Sequence, residues 1–287
     1  MALVGSRWLA FGMATQSPLG AYLRARRSLT APADVGITVD GQVRRVVGLR
    51  REEVAILAGI STEYYLRLEQ GREARPSDQV LDALARALLL NDAAQAYLHE
   101  LARPAKTTAT DAARRDDVDE DVRWLIESWP RTAAVVHNRY LDVLATNRLA
   151  PALNPNYRIG VNNLISLLTD HGERALHEGW EALCARTTAL VRSMFGQRLG
   201  DARLTALVAE LSARNTHFRD AWQRNDVSTS SSGEHVLRHP QAGRLVLHYA
   251  RLPLPGTDGQ SIWLYQAEPG TPSALALETL ALAAPVV

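Results

Sequence analysis

Between Leu49 and Arg72 the chain sets a hydroxyl, a carboxylate, a phenol and a guanidinium close together, at Thr62, Glu63, Tyr64 and Arg67, with Arg50 and Arg51 just upstream. Side chains of these types make directional hydrogen bonds. A carboxylate accepts from the amino group of cytosine, a guanidinium donates to the edge of guanine, and arginines at a helix start meet phosphate. That chemistry is recognition of a base edge, and it requires a rigid element that holds these groups outward.

The surrounding pattern supplies such an element. Val54, Leu57 and Ala58 recur at the three- and four-residue spacing that places them on one buried helix face. Gly59 can take the left-handed conformation that closes that helix, Ile60 completes the turn, and Ser61 stands where it caps the next one. A second helix is expected from about Thr62 to Gln70, with Tyr65 and Leu68 inward and Thr62, Glu63, Tyr64 and Arg67 outward. Two short helices joined by a tight turn are a helix-turn-helix, whose second helix enters the major groove of DNA. The run LGAYLRARR before it, PSDQVLDALARALLL after it and a segment from Asp92 to Leu101 predict an all-α domain of five helices over residues 19–102. An ordinary helical hairpin with solvated charges is the alternative.

On these residues the chain resembles the XRE family of phage-repressor-like helix-turn-helix proteins. The strings GLRREEVAILAGIS, YYLRLEQGR and PSDQVLDALARAL are closer to one subset, the MmyB-like transcription regulators. The resemblance implies that Thr62, Glu63 and Arg67 take the base-contacting positions and that Arg50 and Arg51 lie at the phosphate backbone. The segment Ser28–Gly48 is longer than a minimal repressor fold needs, although such length is usual in the subset. It holds VDGQV, a hairpin signal, followed by Arg44 and Arg45, which either reach phosphates or are solvated.

Composition moderates any argument from arginine. Lys106 is the only lysine among 32 Lys plus Arg, so arginine usage reflects coding bias as much as a DNA surface. The net charge is +1 overall, and Leu19–Leu90 holds eleven Arg against nine Asp plus Glu. Affinity must then come from placement, and one such domain binds weakly, which predicts a homodimer on a two-part operator of double-stranded DNA. No apolar run reaches the ~20 residues that span a membrane. Residues 1–18 are expected to be a disordered extension, or translation starts at Met13; a signal peptide would conflict with a DNA-binding domain starting at Leu19. Cys184 is the single cysteine, which excludes an internal disulfide and a thiolate metal cage. A cytoplasmic protein is expected.

Residues 103–117, RPAKTTATDAARRDD, read as a linker, and residues 118–287 as a second, α+β domain. A helix near Val118–Ser128 precedes two strands, AAVVHN and YLDVLATN. Helices follow from Arg148, over Val161–Leu168, over about Ala175–Arg198, over Ala202–Arg214 and over Phe218–Arg224. Three strands, GEHVLRHP, RLVLHYARLPL and QSIWLYQAEP, are expected to close the chain. Two strands, a helical middle and three strands form the order of a PAS-like antiparallel sheet, a fold that cradles a small molecule. DVLATNRLA, FRDAW, HPQAG and QAEPGTPSALAL resemble the C-terminal half of the MmyB-like family. That resemblance implies a small lipophilic ligand, with a fatty acid as the leading candidate and no other cofactor required. Thr146 stands where the family has tryptophan, a change expected to reshape the pocket.

Trp124, Trp129, Trp180 and Trp222, with Met194, Phe195 and Phe218, are candidates for an acyl pocket, although any one of them equally suits a core. Arg192, Arg219 and Asn147 are candidate anchors for a carboxylate, since a buried charge needs a partner. Catalysis is not expected. His235 and His239 share a strand face, with His248 nearby, but no carboxylate or cysteine stands at ligand spacing with them, and the histidine of HPQAG is expected to bond to backbone. The serines at Ser228 and Ser230–Ser232 have no adjacent base. Two function classes remain: a ligand-responsive transcription regulator, and a DNA-binding assembly module whose second domain serves dimerisation or protein docking.

Overall fold

The computed structural model describes residues 17–38, 44, 46–72, 75–103, 116–195, 201–228 and 230–284. The chain divides into two compact units, Met1–Pro104 and Ala105–Val287. The expected N-terminal extension, the VDGQV hairpin, Arg45 and most of the expected linker lie outside the described residues.

The first unit is helical: α1 (Pro18–Leu29), a 3-10 turn at Pro32–Val35, α2 (Arg51–Ala58), α3 (Thr62–Glu69), α4 (Asp78–Ala87) and α5 (Asp92–Ala102). Local chemistry sets the boundaries. Ser61, Ser77 and Asn91 accept hydrogen bonds from the backbone N–H groups of Tyr64, Val80 and Ala94, which satisfies donors that a helix start leaves free. Gly59 ends α2 at φ 66°. Tyr22, Leu23, Leu49, Val54, Tyr65, Leu68, Leu84 and Leu98 fill the core. The inner face of α2 differs from the sequence expectation. Leu57 is 39% exposed and Ala55 takes the buried place beside Val54 and Ala58. At about 100° per residue, Ala55 and Leu57 flank the face that Val54 and Ala58 define at equal angles, so packing against the neighbouring helices α3 and α4 decides which is buried.

The second unit opens with α6 (Glu120–Glu127), β1 (Ala133–His137) and β2 (Val143–Thr146). The helices α7 (Leu149–Leu153), α8 (Asn163–Thr169), α9 (His171–Leu176), α10 (Trp180–Phe195), α11 (Ala202–Arg214) and α12 (Thr216–Gln223) follow. Then come β3 (Ser232–His239), β4 (Gly243–Pro253), β5 (Ser261–Gln266) and α13 (Pro272–Ala283). The strands form one antiparallel sheet in the order β2-β1-β5-β4-β3. Alternation decides which side chains face the helices. Val135, Leu245, Leu247 and Tyr265 point to one face, packed with α7 and α13, while Ala134, Val136 and Ile262 point to the other, packed with Ile126 of α6. A separate apolar cluster joins α8, α10, α11 and α12 through Leu167, Trp180, Val191, Leu204, Leu211 and Phe218.

Two expectations are corrected. The chain closes on a helix rather than on strands, because Thr271 caps α13 and Pro272 occupies its first turn. The long helix expected over 175–198 is broken at Gly179, whose φ is 72°. The break lets the chain run extended beside β3, where His177 bridges to Leu237 and the Glu178 N–H donates to the Val236 carbonyl at 3.0 Å.

Candidate nucleic-acid interface and ligand cavity

On α3 the buried side chains Tyr65, Leu68 and Glu69 occupy one side of the helix. Glu63, Tyr64 and Arg67 occupy the opposite arc, and Thr62 stands at its first turn. Thr62 and Glu63 are exposed, Tyr64 and Arg67 half-buried, and the Arg67 guanidinium carbon lies 5.5 Å from the centre of the Tyr64 ring. The arginine is thereby held along the helix surface by a cation–π contact that reduces the freedom of its long stem.

An ionic clasp fixes the helix from behind. Glu69, 1% exposed, accepts from Arg27 Nε of α1 and from Arg51 Nε of α2, each at 2.6 Å. Arg27 also donates Nη1–H to the Leu49 carbonyl at 2.9 Å. Gly20 lets α1 approach this close, since a Cβ there would sit 2.3 Å from the Glu69 carbonyl oxygen. Arg51, 45% exposed, is thus part of the clasp and reaches phosphate only while paired. Arg50 begins α2, where its backbone N–H donates to Glu53 Oε2 at 2.7 Å and its side chain is exposed. Arg44 is neither solvated nor free for phosphate. Its guanidinium donates to both Glu53 oxygens, at 2.9 and 2.8 Å, and holds that carboxyl below the ordinary range.

In the second unit a cavity of about 50 Å³ lies between the sheet and α8, α9 and α10. His137, Trp263 and Tyr265 line it from the sheet, and Leu167, Leu183 and Thr187 from the helices. A further cavity of about 40 Å³ shares Leu183, Thr187, His235, Trp263 and Tyr265 and continues to Leu190 and Tyr249. One water needs roughly 10–15 Å³ of such space, so these cavities have room for a few waters each.

The polar groups on this wall form two chains. Asn163 Nδ2 donates to the Asn156 carbonyl at 2.9 Å, which fixes its Oδ1 as the acceptor facing His137 Nε2 at 2.5 Å. His137 Nδ1 is buried and has no hydrogen-bond partner among the described residues, and burial pushes this imidazole down to about 4. In the second chain, Glu173 accepts from Asn154 and Asn156 at 3.0 and 2.9 Å and faces His177 Nε2 at 2.5 Å. Burial works to raise the Glu173 carboxyl, but the bonds from His177 and the two asparagines outweigh it and leave it below its ordinary value. His177 Nδ1 lies 3.0 Å from His235 Nε2, and burial, then the nearby His177, push His235 down to about 3.

Residues 118–280 match the family described as MmyB-like transcription regulator ligand binding domain, and residues 18–101 match a helix-turn-helix domain. The chain belongs to the MmyB-like transcription regulators. No curated protein gives a match. Both domains of this MmyB-like protein are those of a DNA-binding transcription regulator with a ligand-binding domain. Among the described residues no helix is long and apolar enough to cross a membrane.

None of the aromatic candidates of this MmyB-like regulator lines the cavity under Trp263 and Tyr265, but Trp129 and Asn147 line a cavity of about 350 Å³ between α6, α7 and α13, and Trp180 lines one of about 220 Å³ where α8, α9 and α12 meet. Trp124 is 64% exposed on α6, and Trp129 packs on the opposite face of the sheet. Trp180, Met194, Phe218 and Trp222 fill the cluster among the helices, where Trp180 Nε1 donates to the Leu167 carbonyl at 2.7 Å and Phe218 stacks on Trp222. Phe195 ends α10, and its side chain lies outside the described residues.

The candidate anchors lie elsewhere too. Arg192 covers the Trp222 ring and donates to the Trp222 carbonyl, while Arg219 is exposed 4.0 Å from Asp220. Asn147 is structural: its Nδ2 faces the carbonyls of Ile126, Trp129 and Thr132, and its Oδ1 accepts from Ala134 N and Ala150 N. Thr146, opposite Val135 in β2, is not on either cavity wall. His239 bonds to backbone as expected, accepting at Nδ1 from Gln241 N and Ala242 N and donating from Nε2 to the Ala152 carbonyl.

The sequence reading missed His137, Asn163, Glu173 and His177, and weighed His235 only for metal or base chemistry. One signal was available: the alternation of SIWLYQ puts Trp263 and Tyr265 on the same face of β5.

Proposed function

We propose that this protein is a ligand-responsive transcription regulator that binds its operator as a homodimer. Arg67, Glu63, Thr62 and Tyr64 read base edges in the major groove, and Arg50 and Arg51 meet phosphates. The observation that supports this is the outward arc of α3, opposite a buried face that Glu69 clasps to α1 and α2. A second copy supplies the second recognition helix for the other half-site. The second unit is read as PAS-like, a reading that its strand order β2-β1-β5-β4-β3 supports. Its ligand is a small lipophilic molecule, with a fatty acid as the leading class, and no further cofactor is required. The protein works in the cytoplasm.

A specific observation favours a second reading. The cavity under Trp263 and Tyr265, at about 50 Å³, is too small for an acyl chain, so a fatty acid enters that cavity only if α10 moves away from the sheet. If it never moves, the domain serves dimerisation or protein docking.

Two measurements on the full chain test the proposal. Selection from a random duplex pool should enrich paired, related half-sites, and an unenriched pool refutes the operator reading. Mass spectrometry of the chain denatured in organic solvent should release a fatty acid in stoichiometric amount. Release of none, with operator binding unchanged by added decanoate, moves the second domain to the docking role.

A further inference from the structure

The cavity carries unusual instructions for its ligand. Among the described residues neither arginine nor lysine lines the cavity between β1, β5 and α8–α10, and Arg186 lines only its continuation toward Tyr249. Its polar wall centres on two imidazoles, His137 and His235, whose bonding is fixed by Asn163, Glu173 and His177 beside them on the same wall.

His137 is 2% exposed. Because Asn163 Oδ1 faces its Nε2, the proton sits on Nε2 and Nδ1 carries a buried lone pair. A buried acceptor left unpaired is costly, and only a donor satisfies it.

His235 ends the second chain. His177 Nε2 donates to Glu173, and where His177 Nδ1 carries the lone pair it accepts from His235 Nε2. His235 Nδ1 then also offers a lone pair, with no partner among the described residues. This chain is reversible. A proton arriving at His235 Nδ1 displaces the Nε2 proton onto His177 Nδ1. The charge comes to rest beside Glu173, and His235 stays neutral with an N–H in place of the lone pair. Tyr157 and Tyr265 border this pair from the loop before α8 and from β5, Arg186 faces it from α10, and Asp142 is the charged group nearest His137.

Building on the reading of this domain as a small-molecule binder, we propose that the ligand is held by hydrogen bonds it donates. Its head group gives an O–H or N–H to His137 Nδ1, and an anionic head such as a carboxylate enters only with a proton taken up by the His177–His235 pair or carried on itself. Alcohols and amides of a given chain are therefore the natural fit, and the corresponding carboxylates bind with proton uptake.

The test is calorimetric titration of the full chain with 1-decanol and with decanoate between pH 6 and 8. Decanol affinity should stay level, whereas decanoate affinity should fall about tenfold per pH unit, the slope of one proton taken up. His137→Phe, which keeps a flat ring and removes the acceptor, should weaken decanol about tenfold. Decanoate binding that ignores pH, or decanol binding that ignores His137→Phe, overturns the inference. If that variant fails to fold, the pH slopes of the unaltered chain decide alone. If neither probe binds, the ligand reading itself falls, and this inference with it.

Discussion

Replacing Glu69 with alanine should loosen the DNA-binding unit from behind without touching any side chain on its outward face. Glu69 is 1% exposed and pairs at 2.6 Å with both Arg27 and Arg51, whose side chains are 13% and 45% exposed. Removing one partner of a buried pair leaves the other charge stranded, at about 3–5 kcal/mol. The Arg51 share is small because water solvates that guanidinium once it is released. Arg27 dominates, and the expected loss is about 3 kcal/mol, the lower end of the range. A unit of this size has a total stability of about 5–10 kcal/mol, and each kcal/mol moves its midpoint by roughly 4–8 °C, so a fall of roughly 12–24 °C follows.

The two units can be followed separately in one sample. Of the six tryptophans, Trp124, Trp129, Trp180, Trp222 and Trp263 lie in the second unit, and Trp8 precedes the described residues. Far-ultraviolet circular dichroism should therefore show an early helical transition while tryptophan emission holds its unaltered midpoint. Glu69→Gln keeps hydrogen-bonding capacity and loses the charge, so it should fall between the two. A shift of under about 4 °C for Glu69→Ala, or early loss of both signals together, would show that the clasp does not hold the unit.

On the DNA face, Arg67→Ala should cost about 1–3 kcal/mol on the selected operator and relax preference at one base pair, while Arg50→Ala should weaken all sequences alike and lower the salt slope by about one. Equal losses on operator and random duplex for Arg67→Ala would remove it from the readers. The second unit should lose stability in mild acid. His137 and His235 are pushed down to about 4 and about 3, so above pH ~6.5 both are neutral in folded and unfolded chains alike. Below that the unfolded chain binds protons that the folded chain refuses, and stability falls with falling pH until the folded values are reached. At pH 5 each ring contributes a loss of about 2 kcal/mol, to be read as a lower urea midpoint of tryptophan emission than at pH 7. An unchanged midpoint would mean that these rings are more solvated than their burial indicates.

The helix-turn-helix was legible because its boundaries are local. A glycine that can take a positive φ, a serine three residues before a free N–H and an apolar repeat are all visible within the stretch Val54–Tyr65. The clasp was not, since Arg27 and Glu69 stand 42 positions apart and nothing periodic joins them. Leu57 failed for a related reason: spacing alone could not choose between it and Ala55 for the buried arc of α2. The strands of the second unit followed from alternation, yet the break at Gly179 was hidden inside a helical pattern, and with it the extended stretch that carries His177 to β3. Aromatic content does not separate a cavity wall from a core: Trp124 is exposed and Trp222 packs among the helices, while Trp129 and Trp180 border cavities other than the one under Trp263. The cavity is instead built by single residues from different elements, Asn163, Glu173, His177 and His235 among them, which only the sheet order brings together.

The small closed cavity bears on how a signal could arise at all. A ligand shifts an equilibrium only by its difference in affinity between two states, and a molecule that fitted the closed form without displacing anything would leave the protein as it found it. Here the wall opposite Trp263 and Tyr265 is α10, which contributes Leu183 and Thr187 to both cavities and packs through its other side on α8 and α12. On the proposed reading, an acyl chain entering beside Trp263 and Tyr265 moves that helix and repacks Phe218 and Trp222 against it. Occupancy is then coupled to the arrangement of the helical cluster by volume alone. On the head-group proposal above, the histidines select which head groups are admitted, so that size would set the response and hydrogen bonding its specificity.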